Sequence, residues 1–285
     1  MTIARPLTID EAHDALAARP GAHLLQGGTD LMVEVNFARR RPVDVVSLRR
    51  IAELRRWYRD DTSGSLVVGA GVRWCDLEGE PLRSLAPAMA QAARTVGSPQ
   101  IRATGTIGGN LGTCSPAGDG LPVLSALDAT VVLSSPAGRR EVPFHDFMVG
   151  PKRSVRRDDE IIVATHWQPT GGFEGYAKIG VRNAMVIAVA SACLVHDPVA
   201  GVVRVALGAV GPTIIRARAA EEWLRENASL RAIASVSDEV SREFGERVRR
   251  EARAISDHRS TREYRHHGVG VLATRLLDRA RRIPA

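Results

Sequence analysis

The chain of 285 residues has few cysteines, few aromatic residues and no long apolar run. Its three cysteines, Cys75, Cys114 and Cys193, lie far apart and form no Cys-x-x-Cys pair, so no iron–sulfur or zinc site held wholly within this chain is expected. No apolar stretch approaches the roughly 20 residues of a membrane span. Gly-x-Ser-x-Gly and His-Glu-x-x-His motifs are also missing, which argues against serine-hydrolase and zinc-protease chemistry.

The overall composition is that of a soluble globular protein, with 44% hydrophobic and 25% charged residues. The length allows two or three domains. The first residues show no charged lead followed by an apolar block and a small-residue cleavage site. We therefore expect a cytoplasmic protein, with export as the passenger of a partner chain as the alternative.

The net charge is +7, from 39 Lys and Arg against 32 Asp and Glu. Basic clusters can bind nucleic acid, an anionic cofactor or an acidic partner subunit. Only 4% of the residues are aromatic, and no basic run carries interleaved aromatic residues to stack on bases. The charge therefore favours an anionic cofactor or a protein partner over nucleic acid.

Two runs with adjacent glycines are the most informative feature: Gln26-Gly27-Gly28-Thr29-Asp30 and Thr106-Ile107-Gly108-Gly109-Asn110. Adjacent glycines allow positive φ and let a ligand approach main-chain amides, which together form a concave anion site. Two such runs could hold the two ends of a dinucleotide, although each alone could be an ordinary turn. We expect a Cβ at Gly108 to enter the space of a bound phosphate.

The apolar and capping patterns predict a mixed α and β fold. Thr8 and Glu11 fit a capping box that opens a helix, and the first glycine run lies between a predicted strand (23–26) and a predicted helix (31–38). A helix kinked or restarted near Pro87 is expected over residues 82–96, and a long irregular segment over 97–120.

The later part of the chain has its own pattern. Apolar runs at 185–194 and 202–210 predict a buried antiparallel pair, and from residue 214 the chain is expected to be helical. Ser260-Thr261-Arg262-Glu263 predicts the cap of the last helix. Gly268-x-Gly270-x-x-Ala273 matches a minimal dinucleotide pattern, but it lies inside that helix with no strand before it, so a Rossmann site there is rejected.

Five ordered motifs resemble the FAD-binding medium subunits of the molybdenum hydroxylases, the group of xanthine dehydrogenase and carbon monoxide dehydrogenase. They are Gly27-Gly28-Thr29-Asp30-Leu31, Gly105 to Asn110, Ser115-Pro116-Ala117-Gly118-Asp119, Lys178-Ile179-Gly180-Val181-Arg182 with Arg204 to Val210, and Pro212 through Glu221 with Asp257-His258-Arg259-Ser260 through Tyr264-Arg265. The resemblance implies an α+β protein. Its FAD domain would have two α/β subdomains, at 1–55 and 56–169, similar to vanillyl-alcohol oxidase, and a C-terminal α+β domain would follow at 170–285.

The resemblance also implies which residues bind FAD. The first run and its flanks would wrap the pyrophosphate together with the second run, while Asp119 would accept hydrogen bonds from ribityl or ribose hydroxyls. Ile162 and Lys178 would lie near the flavin. Asp119 could also merely cap the helix predicted at 121–127, and both roles could hold together. The full set is Leu24, Leu25, Gln26, Gly27, Gly28, Thr29, Asp30, Leu31, Thr106, Ile107, Gly108, Gly109, Asn110, Asp119, Ile162 and Lys178.

The implied function is electron transfer. A large partner subunit would carry the molybdenum cofactor and a small one the [2Fe–2S] clusters, in a heterotrimer that can dimerise. Electrons would pass through FAD to an acceptor, for which NAD⁺ is favoured over oxygen, quinone or a carrier protein. The Gly-Gly-Thr-Asp form of the first run favours the xanthine dehydrogenase type, and with it a purine or another N-heterocycle as substrate.

Two alternatives remain open from the sequence. One is a self-contained flavin oxidoreductase on the same fold, which would bind its own substrate over the flavin. The other is a basic nucleic-acid-binding module without flavin, whose affinity would depend strongly on salt.

Overall fold

The computed structural model describes residues 2–39, 41 and 43–282. Its strands are β1 (Thr2–Ala4), β2 (His23–Leu25), β3 (Asp44–Ser47), β4 (Trp57–Arg59), β5 (Leu66–Gly69), β6 (Thr130–Ser135), β7 (Gly138–Pro143), β8 (Met148–Gly150), β9 (Arg153–Ser154), β10 (Ile161–Trp167), β11 (Glu174–Ile179), β12 (Ala190–Asp197), β13 (Val202–Gly208) and β14 (Ile215–Arg216).

Helices connect and cover these strands. The α-helices are α1 (Ile9–Ala17), α2 (Leu31–Asn36), α3 (Trp74–Leu77), α4 (Leu82–Leu85), α5 (Pro87–Thr95), α6 (Pro99–Arg102), α7 (Ile107–Thr113), α8 (Gly120–Ala126), α9 (Phe144–Phe147), α10 (Arg218–Asn227), α11 (Asp238–Glu251) and α12 (Arg262–Arg281). Short 3₁₀ helices cover Leu48–Arg50, Glu53–Arg55 and Leu230–Ser235.

A parallel sheet in the order β1-β3-β2 forms the N-terminal part. Thr8 Oγ1 accepts a hydrogen bond from the Glu11 amide at 3.1 Å, so the predicted cap of α1 is confirmed. The Glu11 carboxylate accepts from the Leu7 amide at 2.7 Å, one residue earlier than a capping box requires. The buried face of α1 packs its Ile9 and Ala12 in one cluster with Val46 of β3.

The second sheet is antiparallel, in the order β4-β5-β10-β6-β7. The sequence predicts a hairpin of strands at 130–134 and 139–142 around Pro136-Ala137-Gly138, and it is confirmed, because β6 and β7 pair from Thr130↔Pro143 to Ser135↔Gly138. The predicted helix over 82–96 is confirmed as two helices, α4 and α5, with Pro87 at the first position of the second. The domain boundaries predicted after residues 55 and 169 fall in the connections between sheets. They stay predictions.

Residues 97–120 are not a long irregular segment, contrary to the sequence prediction. Ser98 caps α6, and Thr106 caps α7 by accepting from the Gly109 amide at 3.0 Å. Glycine disfavours a helix, which is why the pattern suggested a loop. Tertiary packing requires glycine here, since a Cβ on Gly108 would lie 2.5 Å from Ala70 Cβ.

The C-terminal sheet is antiparallel, in the order β11-β12-β13-β14. The predicted pairing of two apolar strands is confirmed by the register from Ser191↔Gly208 to Asp197↔Val202. The strand prediction was wrong for residues 185–189, where the chain turns back and Val186 packs over Gly180. The all-helical prediction after residue 214 was also wrong, because β14 comes first.

The pattern Gly268-x-Gly270-x-x-Ala273 lies inside the last helix, as predicted. The cap of this helix is Thr261, which accepts from the Tyr264 amide at 3.2 Å, one residue later than predicted. Gly268 and Gly270 lie inside α12, and a Cβ on Gly270 would lie 2.8 Å from the Gly245 carbonyl oxygen. Gly270 therefore allows α11 and α12 to pack closely.

The C-terminal sheet is covered on both faces. One face packs Leu194 and Val205 into a cluster with α10, α11 and α12, to which α11 contributes Phe244. The other contributes Tyr176, Cys193 and Ala206 to the core built around the antiparallel sheet and α5, α7 and α8. The predicted α+β class is confirmed. No helix in the described ranges is long and apolar enough to cross a bilayer.

Candidate functional site

The first glycine run connects the end of β2 to the start of α2. Gly28 has φ of +76°, a left-handed conformation that favours glycine. The amides of Gly28, Thr29 and Asp30 donate to no other group in the described part of the chain. Three consecutive unpaired amides beside a left-handed glycine are the arrangement expected of an anion site.

In the second glycine run the amides of Ile107, Gly108, Gly109 and Asn110 are already used within the chain, which corrects the expectation that these amides bind a phosphate. The Ile107 amide donates to the Val72 carbonyl at 3.1 Å, and the Gly108 amide donates to the Ala70 carbonyl at 2.8 Å. The Asn110 amide donates to the Thr106 carbonyl at 3.1 Å. The missing side chain of Gly108 therefore makes room for Ala70, and the first run is the one that offers amides to a ligand.

The structure brings the two runs together. Thr113 Oγ1, at the end of α7, donates to Asp30 Oδ2 at 2.8 Å. A Cβ on Gly27 would lie 2.2 Å from the Thr104 carbonyl oxygen, and one on Gly105 would lie 3.4 Å from Thr29 Oγ1. Glycines are needed at this seam because the two backbones touch there.

Asp119 and Lys178 form a buried ion pair between α8 and the C-terminal sheet. Lys178 Nζ donates to Asp119 Oδ2 at 2.6 Å, and each side chain is 7% exposed. Tyr176 donates to Asp119 Oδ1 at 2.8 Å, and Thr95 Oγ1 donates to Oδ2 at 3.2 Å. Burial raises the pKa of Asp119, and the Lys178 ammonium and these hydrogen bonds oppose part of that rise.

Asp119 is not a helix cap. It occupies the position before α8, but its side chain makes no cap hydrogen bond, since both oxygens are used by Tyr176, Lys178 and Thr95. The capping alternative drawn from the sequence was therefore wrong. Burial and the nearby Asp119 carboxylate raise the pKa of Tyr176 well above 10, so its hydroxyl is a donor at all physiological pH values.

The remaining predicted residues differ in how deeply they are buried. Ile162 lies on β10, 7% exposed, and its Cδ1 would be 3.9 Å from a Cβ on Gly112 of α7. Asn110 lies against Gly118 and Gly120, and its Oδ1 is buried without a hydrogen-bond partner in the described part of the chain. Leu24, Leu25 and Leu31 are half-buried on β2 and at the start of α2.

Gln26 Oε1 is a second buried acceptor without a partner among the described residues. Its Nε2 lies against Gly71, where a Cβ would come within 2.6 Å. Buried acceptors normally receive a hydrogen bond, so each unpaired one calls for a donor. Two of them at the seam of the two glycine runs match a ligand that carries hydroxyl groups.

Two residues of the site were missed from the sequence. Tyr176 lies two positions before Lys178 on one strand, so their side chains share a face, and that spacing could have revealed it. Thr95 gave no signal, because only the packing of α5 against α8 brings it to Asp119. Among the described residues no group of His, Cys, Asp and Glu is arranged to hold a metal.

The fold and these contacts define a cofactor-binding chain with an N-terminal α+β part and a C-terminal sheet packed against it. The family model described as "FAD binding domain in molybdopterin dehydrogenase" matches residues 1–166. The model described as "CO dehydrogenase flavoprotein C-terminal domain" matches residues 176–280.

Individual proteins agree with these matches. The chain is 30% identical over 285 residues to the xanthine dehydrogenase FAD-binding subunit of Escherichia coli O157:H7, covering 97% of this chain and 94% of that one. It is 36% identical over 193 residues to the nicotinate dehydrogenase FAD-subunit of Eubacterium barkeri, covering 65% and 64%. A chain of carbon monoxide dehydrogenase from Hydrogenophaga pseudoflava superposes with a TM-score of 0.89 at 27% identity, covering 98% of this chain and 96% of that chain. This chain belongs to the FAD-binding subunits of the molybdopterin dehydrogenases.

The residues present fit FAD. The unpaired amides of the first run suit a pyrophosphate, and the unpaired oxygens of Gln26 and Asn110 suit sugar hydroxyls. Asp119 already accepts three hydrogen bonds within the chain, from Tyr176, Lys178 and Thr95, so its carboxylate is held in a fixed position.

Proposed function

We propose that this chain is the FAD-carrying electron-transfer subunit of a molybdenum-containing hydroxylase. The observation that carries the proposal is the first glycine run, where the consecutive amides of Gly28, Thr29 and Asp30 are unpaired among the described residues and lie beside the second run. When bound, FAD supplies the ability to accept electrons singly and to deliver them as a pair.

The chain's own residues bind and orient the cofactor. Gly28, Thr29 and Asp30 hold the pyrophosphate through their amides, and Gln26 and Asn110 accept hydrogen bonds from sugar hydroxyls. Asp119 accepts hydrogen bonds from ribityl or ribose hydroxyls at the flavin end, and Ile162 and Lys178 lie near the flavin. Lys178 also holds Asp119 in place. Residues Leu24, Leu25, Leu31, Thr106, Ile107, Gly108 and Gly109 shape the pocket, with the second run acting mainly by packing.

The partners follow from the same proposal. A small subunit with [2Fe–2S] clusters supplies the electrons, and a large subunit with the molybdenum cofactor oxidises the substrate. Basic residues exposed near α2 and the β8–β9 hairpin, Arg39, Arg41, Lys152 and Arg153, suit an acidic partner surface. The assembly is a heterotrimer, which can pair with a second copy.

For the complex, we assign an N-heterocycle as the substrate and NAD⁺ as the electron acceptor. This assignment is supported by the Gly-Gly-Thr-Asp form of the first run and by similarity to subunits named for xanthine and nicotinate dehydrogenases. Oxygen, quinone and carrier proteins are the competing acceptors.

The acceptor is tested on the chain loaded with FAD and reduced chemically under anaerobic conditions. The reduced protein is mixed with NAD⁺, a quinone or oxygen at equal concentrations, and flavin absorbance is followed in time. We expect NAD⁺ to reoxidise the reduced flavin fastest. A chain that NAD⁺ does not reoxidise while a quinone does would overturn the choice of acceptor and leave the electron-transfer role intact.

A further inference from the structure

Arg265 is a buried arginine on α12 whose guanidinium joins three separate segments. The residue is 3% exposed. Its Nη1 donates to the Val189 carbonyl at 3.0 Å and to the Ala209 carbonyl at 2.8 Å, while its Nη2 donates to Asp257 Oδ1 at 2.6 Å. Only the planar fork of arginine can hold three acceptors in this fixed geometry.

Asp257 fixes the guanidinium from the other side. It accepts from the Arg259 amide at 2.9 Å and from the Arg259 guanidinium at 2.6 Å. Burial works against ionisation of the carboxyl, but these hydrogen bonds and the one from Arg265 hold the pKa of Asp257 well below its usual range. Asp257 is therefore an anion whenever the protein is folded at neutral pH.

Ala209 is the residue through which this anchor reaches the cofactor side. It has φ of +60°, a left-handed conformation that residues with a Cβ rarely adopt. Its carbonyl accepts from Arg265, and its amide donates to the Pro116 carbonyl at 2.8 Å. The turn is held from both ends, which explains how an alanine remains in that conformation.

Pro116 opens the short turn that ends at Asp119. The Gly118 amide donates to the Ser115 carbonyl at 2.9 Å within this turn. Gly208, just before Ala209, lies against the same turn, since a Cβ there would be 3.6 Å from the Pro116 carbonyl oxygen. Arg265 is thus linked to the turn that carries Asp119 through the main chain of Ala209 and Pro116. No side chain of the cofactor pocket lies in between.

We propose that Arg265 is a positioning residue for the FAD site, which holds the left-handed turn at Ala209 and thereby sets the position of residues 115–119 that carry Asp119. The inference rests on the proposed function, because Asp119 matters here as a group at the flavin end of the pocket. It assigns a role to the C-terminal Tyr264-Arg265 motif, which lies outside the glycine runs.

The test compares Arg265→Lys with Arg281→Lys. Arg281 lies on the same helix and is also ion-paired, with Asp278 at 2.9 Å and Asp238 at 2.8 Å, but it touches nothing near Ala209. For each variant the Kd for FAD is measured by calorimetry on the full chain, the free energy of unfolding by urea titration, and the midpoint potential of the bound flavin by dye equilibration. Asp257→Asn serves as a second variant that weakens the anchor without changing Arg265.

Arg265→Lys is expected to raise the Kd for FAD by on the order of tenfold, because the turn at residues 115–119 shifts and Asp119 loses about one hydrogen bond to the cofactor, and to shift the flavin potential. Asp257→Asn is expected to act in the same direction, and Arg281→Lys to leave the Kd and potential unchanged even where it lowers stability. A folded Arg265→Lys chain with a Kd within about twofold of the unchanged chain overturns the inference.

If Arg265→Lys does not fold, Asp257→Asn decides by the same criterion. An unchanged chain that does not bind FAD overturns the proposed function itself, and this inference with it.

Discussion

Lys178 Nζ lies 2.6 Å from Asp119 Oδ2, and this buried ion pair joins the C-terminal sheet to the turn before α8. The two residues are 59 positions apart in sequence and belong to regions matched by two different family models. The same carboxylate also accepts from Tyr176, on the same strand as Lys178. The C-terminal sheet therefore controls a group that the proposed function places at the flavin.

Lys178→Met is expected to cost stability because it leaves the Asp119 carboxylate buried without its cation. Breaking a buried pair by removing one partner costs about 3–5 kcal/mol. Urea unfolding should show this loss, and FAD titration should show weaker binding. The double variant Lys178→Met with Asp119→Asn should recover part of the stability, because no uncompensated charge remains.

The control for this pair is Lys152→Met. Lys152 pairs with Glu34 at 2.8 Å, but its side chain is 63% exposed, so its loss should cost less than about 1 kcal/mol. Equal losses for the buried and the exposed lysine would contradict the importance given to the Asp119–Lys178 pair.

Glu174 predicts a pH dependence of stability. Its carboxyl lies against the amide of Ala88 at the start of α5, and its Oε2 has no hydrogen-bond partner among the described residues. Burial raises its pKa from 4.5 to about 7. Between these two pH values the unfolded chain loses the proton and the folded chain keeps it, so the free energy of unfolding falls as pH rises, by roughly 3 kcal/mol.

Glu174→Gln should remove this contribution. Urea unfolding at pH 5, 6, 7 and 8 should give a flatter profile for the variant and a more stable variant at pH 8. The exposed Glu226→Gln is the control and should follow the unchanged chain. Parallel profiles for Glu174→Gln and the unchanged chain would show that this carboxyl is not responsible.

Gly28→Ala and Gly21→Ala form a matched test of the first glycine run. Both glycines have positive φ, +76° and +81°, and neither would meet a main-chain atom on gaining a Cβ. Each substitution should cost about 1–2 kcal/mol of stability through left-handed strain. Only Gly28→Ala should also raise the Kd for FAD, since Gly21 lies in the turn after α1.

Equal Kd values for these two variants would remove the first run from the proposed site. Gly108 is unsuitable for such a test, because its Cβ would meet Ala70 at 2.5 Å and damage the fold whether or not FAD binds. The expectation that a side chain at Gly108 would enter phosphate space is therefore replaced by a packing role.

The elements with strong local signals could be predicted from the sequence. The cap at Thr8, the restart at Pro87 and the β6–β7 hairpin depend on neighbouring residues, and all three were found. α7 was missed because Gly108 and Gly109 weaken the helix pattern, and only contact with Ala70 explains them. β1 was missed because three residues carry no periodicity, although pairing with β3 defines the strand.

The site residues also divide into those that a local motif reveals and those that only tertiary contacts reveal. The glycine runs, Asp119 and Lys178 were named from motifs, but their mutual contacts depend on tertiary structure. Thr95 and the Arg265–Ala209–Pro116 link are separated by long stretches of chain and make no local pattern, so nothing in one sequence reveals them. The roles of the predicted residues toward FAD remain predictions.

The most direct test of the account is anaerobic reduction of the flavin by substrate, with and without the partner subunits. The chain is purified, loaded with FAD and mixed with an N-heterocycle such as a purine, while flavin absorbance is recorded. The account predicts one FAD per chain, no reduction by the heterocycle alone, and reduction once the partner subunits are added. Reduction of the isolated chain at the rate of the full complex would contradict it, and would identify a flavoenzyme that oxidises its own substrate.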